Sequence, residues 1–453
     1  MRKLLRLSDE LLKYLVAAII LAVPLFPKFP FVRIAGTYVS IRLEDFLIAT
    51  LGLLVFIKLL PELKNLFERK IERSIVIFLA VGLVSLISAI FLTKTVLPSI
   101  GILHLLRRIE YLIPFFAGLA VMRSKNVSTL DFFLKLFLIV VSVAFIYGWG
   151  QKYYSWPVII TQNEEYSKGV ALRWTPGSHI NSSFAGHYDL ATFLVMVLPV
   201  FISLAAVLKS LKTRIVLIVV TFLGLWLLSN AISRISIVSY LLAVTAALTL
   251  IKKYKLIPVV LILSLIFFGL SVDLWARYGR IIEVAKTKLL LLAPRSEVLA
   301  LEEPQTVKRT RPTPTPTPPP VFEDRSTSIR LNVEWPRAIR AFSKNPLLGT
   351  GYSSITLATD NDYLRLLGEV GILGFSAFLL IITRIGQLIL KSLPLERIAG
   401  GVELGFLGGF LGSLSGIFLN AAFIDVFEAS KFATIFWLLA GFAVSLMRKP
   451  NYE

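Results

Sequence analysis

The stretch that decides the fold is RLNVEWPRAIRAFSKNPLLGTGYSSITLATDNDYLRLLGEVGILG, residues 330–374. It begins as a polar segment rich in charge and glycine, and it continues directly into an apolar helix. Long apolar blocks precede and follow it, so its polar groups are expected to gather where water meets lipid. The stretch therefore predicts a membrane protein whose chemistry lies at the ends of its helices.

The composition places the whole chain in a membrane. Of its 453 residues, 56% are hydrophobic and only 17% are charged, and the mean hydropathy is +0.76. These values lie far outside the range of soluble globular domains. Lipid offers no partner for an unpaired N–H or C=O group, so the spanning segments must be helices, because the alternation of a β-barrel strand is absent. The predicted fold class is all-α, a polytopic integral membrane helical bundle.

Apolar runs long enough to cross a hydrocarbon core of ~30 Å recur along nearly the whole chain. We predict about twelve spanning helices, at residues 12–27, 45–61, 74–92, 100–122, 131–150, 186–206, 214–231, 235–251, 256–273, 361–383, 399–420 and 431–447. They form an N-terminal membrane block of about nine helices (1–273) and a C-terminal block of about three (361–453). A long extracytoplasmic loop (274–360) separates the two blocks.

Lysine and arginine in the short loops predict the orientation. With both termini in the cytoplasm, the inner loops collect most of the basic residues, as at 58–73, 209–214 and 252–255. The net charge of +20 is then divided between an inner collar beside anionic lipid and an outer surface suited to an anionic substrate. We therefore expect a multi-pass protein of the cytoplasmic membrane with its active site on the extracytoplasmic face. Nucleic acid is a poor candidate partner, because no soluble module gathers the charge.

Several chemistries are disfavoured by the residue types. The sequence has no cysteine, which excludes thiol catalysis, disulfides and cysteine-ligated metals. Its three histidines, His104, His179 and His187, form no HExxH motif and no compact ligand cluster. We expect them to act as hydrogen-bonding groups, and we predict neither a metal nor a cofactor. The first apolar run lacks a small-residue cleavage site and is expected to remain as an anchor.

The long loop divides into two parts around a low-complexity tract. Residues 309–322, RTRPTPTPTPPPVF, cannot form a helix or an inner strand and are expected to be an extended polyproline II spacer. Residues 274–305 are expected to contain an amphipathic outer helix. The candidates for chemistry follow the spacer, from about residue 326 onward.

A short helix is predicted first in this second part. It carries Arg330, Arg337 and Arg340, with Trp335 and Phe342 as apolar anchors.

The sequence NPLLGTGY comes next. Its Asn-Pro pair and the glycines Gly349 and Gly351 favour a tight turn whose backbone N–H groups could point at an anion.

Three polar residues then open the next helix. Taken alone, Asp360, Asn361 and Asp362 are explained best as helix N-capping groups, and the alternative is a functional role. Glu369 follows one turn into the apolar segment, where an ionised group is costly and usually faces a cavity or a partner. We therefore treat Glu369 as a supporting site residue.

These motifs resemble the bacterial O-antigen ligase and O-antigen polymerase superfamily of multi-spanning glycosyltransferases, of the GT-C type. Its pattern of an arginine, a tryptophan and then PLLGxG is similar to Arg330, Trp335 and residues 346–351. The ligase hallmark is a histidine, then Asn or a similar residue, nine residues and GxxG. It is similar to Asn361 followed by residues 371–374, but Asp360 stands where the ligases have histidine.

Two further arginines match the family by position. Arg173, in LRWTPGSHINSSFAGHYDLATFLVMVLP, resembles the arginine that precedes a polar loop and a spanning helix. Arg234, in LLSNAISRISIVSYLL, resembles the Ser-Arg pair at an outer turn. Together with Arg330 they would bind a diphosphate, because guanidinium groups form paired charge-assisted hydrogen bonds to phosphate oxygens. The alternative is lipid anchoring, or salt bridges to Glu164, Glu165 or Asp189.

The resemblance implies a metal-independent, inverting glycosyltransferase that takes its glycan from a polyprenyl-diphosphate-linked donor. The acceptor would be a hydroxyl group of a glycan or lipid, and Asp360 would orient or deprotonate it. Polymerase-type chain extension is the nearest alternative. From other classes, a polysaccharide transporter or flippase and a non-catalytic scaffold for envelope assembly also remain.

An intramembrane charge cluster is predicted in the fourth span. Arg107 and Glu110 share a helical face at the i, i+3 spacing, beside Arg108. The cluster either lines the glycan cavity or forms a neutralised structural pair.

Overall fold

The computed structural model describes residues 2–34, 40–62, 67–123, 127–160, 170–270, 328–356 and 358–448. Within these ranges the chain forms thirteen α-helices. They are α1 (Arg2–Leu25), α2 (Leu43–Leu59), α3 (Lys70–Phe91), α4 (Pro98–Met122), α5 (Val127–Tyr153), α6 (His187–Val207), α7 (Leu211–Ala231), α8 (Arg234–Leu250), α9 (Leu256–Gly269), α10 (Trp335–Lys344), α11 (Asp362–Lys391), α12 (Gly401–Ala421) and α13 (Ser430–Met447).

Short elements join some of the helices. Strand β1 (Val32–Arg33) pairs antiparallel with β2 (Ser40–Ile41), and β3 (Val158–Ile160) pairs antiparallel with β4 (Val170–Leu172). Single turns of 3₁₀ helix occur at Leu60–Glu62 and Leu395–Arg397, and a π-helical turn at Arg330–Glu334 leads into α10.

The helices agree with the predicted spans. Every predicted span coincides with one of them, and α10 is the short helix expected in the second part of the loop. In the described residues, seven helices are long and apolar enough to cross a membrane, namely α3, α5, α6, α7, α11, α12 and α13. This confirms an all-α, multi-pass membrane protein, while the count of twelve spans and the three-part division stay predictions. The expected helix at 274–305 and the Thr-Pro tract at 309–322 lie outside the described residues.

Close contacts between helix backbones hold the centre of the bundle together. Helix α12 packs against α6 and α8 through the sequence GVELGFLGGFLGSLSG. A Cβ atom on Gly409 would lie 2.3 Å from the Cα of Val200, and one on Gly412 would lie 2.3 Å from the backbone N of Ala247. In lipid, helix association depends on packing of this kind, which small residues permit. Helix α6 is consequently almost wholly buried.

The bundle has two polar ends. The site end contains the C-terminus of α1, the N-termini of α6 and α11, and the 422–429 loop. There the buried Lys431 donates from Nζ to the carbonyl oxygens of Phe26 and Ser183, both at 2.7 Å. The opposite end contains the N-terminus of α3 and the C-termini of α4, α11 and α13, and there Arg448 pairs with Glu72. Basic residues of the predicted inner loops that the structure describes, such as Arg69, Arg123 and Arg384, belong to this opposite end.

Candidate functional site

An ion pair between Arg330 and Asp360 forms the centre of the candidate site. The Nε and Nη2 atoms of Arg330 lie 3.0 and 2.8 Å from the same oxygen, Oδ2 of Asp360. Nη2 also donates to the hydroxyl of Tyr188 at 3.4 Å, at the start of α6. Both charged side chains are mostly buried, with 12% and 21% of their surface exposed. The structure thus joins the predicted catalytic carboxylate directly to one of the predicted diphosphate-binding arginines.

Two more carboxylates surround this pair. Burial raises the pKa of Glu334 to about 7, and the charges of Asp360 and Asp425 act in the same direction. Burial also raises the pKa of Asp360; Asp425 adds to this shift, and the Arg330 guanidinium opposes it. The carboxylates are therefore close enough to influence each other's proton affinity, as in sites that transfer protons.

The helix beside the ion pair presents buried polar atoms without hydrogen-bond partners in the described part of the chain. They are Oε2 of Glu334, Nε1 of Trp335 and Nη1 of Arg337. Most buried polar atoms in proteins have a partner, so a group of unpaired ones at a cluster of charges marks a surface for a polar ligand. Trp335 is an apolar anchor as predicted, with its ring 6.4 Å from that of Phe423.

The PLLGTG turn, residues 346–351, forms backbone hydrogen bonds with helix α11 at a break in that helix. At Gly371 the backbone leaves helical geometry, with φ of 64° and ψ of −169°. The N–H groups of Thr350 and Gly351 donate to the carbonyls of Gly368 and Glu369 at 2.9 and 2.7 Å. In return, the N–H of Ile372 donates to the carbonyl of Pro346 at 2.9 Å. The turn therefore satisfies backbone groups that the break would otherwise leave unpaired.

This pairing corrects one expectation from the sequence. The N–H groups of Gly349 and Gly351, expected to point at an anion, donate to the carbonyls of Asn345 and Glu369, both at 2.7 Å. A Cβ atom on Gly349 would lie 2.4 Å from the carbonyl carbon of Glu369, and one on Gly351 would lie 2.2 Å from the Cβ of Ala89. These glycines therefore support the site by close packing, and their N–H groups are engaged within the protein.

Each member of the Asp360–Asp362 triplet has its own role. Asn361 is the N-cap of α11, because its Oδ1 accepts from the N–H of Leu364 at 3.0 Å. Asp362 accepts from the N–H groups of Val426 and Phe427, which fixes the 422–429 loop. The capping explanation thus holds for Asn361, whereas Asp360 points to Arg330.

Glu369 has charged partners, as expected for an ionised group within an apolar segment. It is 2% exposed and lies 3.5 Å from Arg365 and 3.7 Å from Arg108. Arg365 also reaches Asp425 at 3.1 Å, and Arg108 forms an ion pair with Glu428. This network joins α4, α11 and the 422–429 loop beneath the Arg330–Asp360 pair.

Arg107, from the predicted charge cluster in α4, forms contacts that join neighbouring elements of the fold. Arg107 donates to Asp45 at 2.7 Å and to Glu110 at 2.8 Å, and its Nη2 donates to the carbonyl of Ser40 at 2.9 Å. The neutralised-pair alternative therefore fits Arg107 and Glu110, which tie α4 to β2 and α2. Arg108 differs, because it faces the network of Glu369.

The remaining predicted arginines lie at the site end, outside the central ion pair. Arg173 follows β4 and is exposed, and it makes no hydrogen bond or ion pair with the described residues. Arg234 is half-buried at the first position of α8, after the left-handed residue Ile232. Asp189, an alternative partner considered for these arginines, lies 3.9 Å from Lys28 instead. Glu164 and Glu165 lie outside the described residues.

Histidine and aromatic residues complete the surroundings of the site. The rings of His179 and His187 stack with centroids 4.0 Å apart, and His187 also contacts Tyr188. Within the described ranges, no three His, Asp or Glu side chains are grouped in a way that could hold a metal ion.

Sequence reasoning missed Tyr188, Glu334, Arg365, Asp425 and Glu428. One signal was available for Arg365, since it stands four residues before Glu369 on the same face of an apolar helix. Tyr188 lies in the first turn of α6, and the other three lie in loops or in a short helical turn, where no spacing distinguishes them.

Fold and site together define a multi-pass membrane protein with a buried cluster of arginines and carboxylates at one end of its bundle. Residues 199–379 match the protein-family model described as O-antigen ligase, and this match supports a place in the O-antigen ligase-like superfamily. This confirms the resemblance drawn from the motifs. The matched range includes Arg234, Arg330 and Asp360 but not Arg173. No curated protein matches the chain.

Proposed function

We propose that the protein is a glycosyltransferase that transfers a glycan from a polyprenyl-diphosphate-linked donor to an acceptor hydroxyl in cell-surface polysaccharide assembly. The observation that carries the proposal is the buried Arg330–Asp360 pair, which lies within the segment that matches O-antigen ligase. The site would face the extracytoplasmic side of the cytoplasmic membrane, with both termini in the cytoplasm.

The chemistry follows from the two members of the pair. The acceptor oxygen attacks the anomeric carbon as the bond from that carbon to the diphosphate oxygen breaks, and the configuration inverts. The bonding electrons leave on the diphosphate, where Arg330 stabilises the growing charge with two parallel N–H groups. Asp360 takes the proton of the acceptor hydroxyl. No step requires a metal ion.

Donor binding would also change the state of Asp360. Both Nε and Nη2 of Arg330 point at Asp360 in the structure. A diphosphate that engages these N–H groups replaces Asp360 as their partner and leaves its carboxylate available to the acceptor. Arg173 and Arg234, at the same end of the bundle, would hold further phosphate oxygens.

A small cavity of about 40 Å³ lies beside the charged network and is too small to hold a polyprenyl chain. Arg108, Asp362 and Glu428 line its polar side, and Phe78, Phe378 and Trp437 are among its apolar residues. A cavity of this size and polarity has room for ordered water beside the charges, and the lipid part of the donor would lie against the apolar outer faces of the helices. The choice between ligase-type transfer and polymerase-type extension depends on the acceptor.

The direct test uses purified protein in lipid nanodiscs with a radiolabelled, polyprenyl-diphosphate-linked oligosaccharide and candidate acceptors. A transferase forms labelled product and releases polyprenyl diphosphate, whereas a transporter or flippase leaves the donor intact. We expect Asp360→Ala to reduce the rate about 100-fold, within the usual contribution of a general base. Asp362→Asn is the comparison variant: it removes a neighbouring carboxylate that binds the 422–429 loop. Full activity of Asp360→Ala would remove this residue from the mechanism.

Glu334 gives the protein a predicted pH dependence of stability. Its pKa rises from 4.5 to about 7 because of burial and the nearby carboxylates. Between these values the folded protein binds the proton more tightly than the unfolded chain, so stability falls as the pH rises through this range. We expect the melting temperature of the wild-type protein to fall as the pH is raised from about 5 to about 8. The decrease should be smaller in Glu334→Gln, which lacks the titrating carboxyl group.

Glu68→Gln is the matched control for this measurement, because Glu68 is exposed at the opposite end. It should follow the wild-type pH profile. An undiminished pH dependence in Glu334→Gln would contradict the assignment.

A further inference from the structure

A large basic cavity opens at the opposite end of the bundle from the candidate site. Its volume is about 680 Å³, and its walls come from the start of α3 and the ends of α4, α11 and α13. This volume lies within the range of small-molecule sites in proteins. The basic residues that line it are Arg69, Lys70, Arg123, Arg384, Lys391 and Arg448.

The charge of this cavity is strongly unbalanced. Glu68 is the acidic residue in its described lining. The nearby Glu72 is fully buried, and its two oxygens accept hydrogen bonds from both Nη atoms of Arg448 at 2.5 and 2.9 Å. This fork holds Arg448 in place, and Arg384 is likewise held by a 3.0 Å hydrogen bond to Gln387. The six basic residues outnumber the two carboxylates, Glu68 and Glu72, so the cavity suits an anion with several oxygens.

Apolar residues also line the cavity. Leu119, Leu388 and Met447 lie among the basic residues and belong to three different helices. A free inorganic anion gains nothing from such contacts, whereas a phospholipid has a phosphate for the arginines and glycerol and acyl carbons for the leucines.

The position of the cavity points to the same class of ligand. Helices α11 and α13 are candidate membrane spans, and their C-termini contribute to the cavity. The end of a spanning helix lies at the level of the lipid head groups. Basic pockets between helices at this level, on the side rich in Lys and Arg, are suited to anionic head groups.

We propose that this cavity is a binding site for the phosphate head group of an anionic phospholipid. The site is separate from the proposed glycosyl-transfer site and does not depend on it. Arg384 and Arg448 hold the phosphate oxygens, Arg123 and Lys391 close the rim, and the acyl chains leave along the apolar residues of α4 and α13.

The experiment measures lipid binding by the full chain. Protein in phosphatidylcholine nanodiscs or micelles is titrated with phosphatidylglycerol, and bound lipid is counted by native mass spectrometry. We expect phosphatidylglycerol to be retained, and the variant Arg123→Gln/Arg384→Gln/Lys391→Gln to bind it at least about tenfold more weakly. The matched control, Lys209→Gln/Lys212→Gln/Arg214→Gln, removes the same charge from exposed residues at the same end but outside this lining. It should bind within about twofold of wild type.

Two results would overturn the proposal. Equal losses in the two triple variants would show a general charge effect with no specific site. Displacement of the lipid by millimolar phosphate or diphosphate would show a site for a free anion. If the triple variant melts earlier than wild type in phosphatidylcholine alone, Lys391→Gln replaces it, since this side chain is exposed. Unchanged binding in that single variant would also count against the site.

Discussion

Replacement of Arg330 by alanine is expected to reduce the rate of glycan transfer at least about 100-fold, equivalent to about 3 kcal/mol of transition-state stabilisation. The variant removes the two N–H groups that would meet the departing diphosphate. It also leaves Asp360 without its guanidinium partner. Both effects lower the rate, and the melting temperature must be recorded to show that the protein remains folded.

Two further variants test whether the lower rate comes from loss of the Arg330 guanidinium group. Arg330→Lys keeps the charge but not the planar fork, so we expect it to recover only part of the lost rate. Arg340→Ala removes an exposed arginine from helix α10 and should leave the rate within about twofold of wild type, as expected for surface positions. Wild-type kinetics in Arg330→Ala would end the case for a diphosphate at this position.

Substitution of Gly371 by alanine is expected to destabilise the protein by about 3 kcal/mol or more. Its φ of 64° and ψ of −169° belong to a region that is essentially restricted to glycine. A Cβ atom there would also lie 2.4 Å from the carbonyl oxygen of Leu347. The alanine would force the PLLGTG turn away from the break in α11, which lies two residues after Glu369.

Helix α11 offers a matched control in Gly386. A Cβ atom on this residue would meet nothing within 4 Å, and its backbone is helical. Gly386→Ala should therefore leave the melting temperature unchanged or raise it slightly. The comparison is made by thermal unfolding of both variants in the same detergent. Equal melting temperatures would show that the break does not depend on glycine.

Much of the fold could be predicted because every segment that crosses lipid must satisfy its own backbone hydrogen bonds, and a helix does so. The length of each apolar run was sufficient to locate a helix, and the family motif was sufficient to locate the Arg330–Asp360 region. Glu369 was recognised by its cost, since an ionised group within an apolar run needs a partner.

The partners themselves could not be predicted. Asp425 stands 60 residues from Arg365 in a loop without a motif, and only the packing of α12 and α13 brings it to the start of α11. The role of Gly371 was also hidden, because a glycine within an apolar run is compatible with a continuous helix. Its positive φ becomes visible only when the PLLGTG turn is placed beside it.

The break at Gly371 also sets the depth of the charged groups. A continuous helix of 30 residues would extend about 45 Å, well beyond the hydrocarbon thickness of ~30 Å. The section after Gly371 is long enough to cross the hydrocarbon by itself, at about 30 Å. Asp362, Arg365 and Glu369 precede the break, which assigns them to the interfacial zone where water and head groups reduce the cost of charge. A carrier lipid that diffuses in the bilayer holds its phosphates at this same level, so the proposed donor could reach the arginines sideways without leaving the membrane.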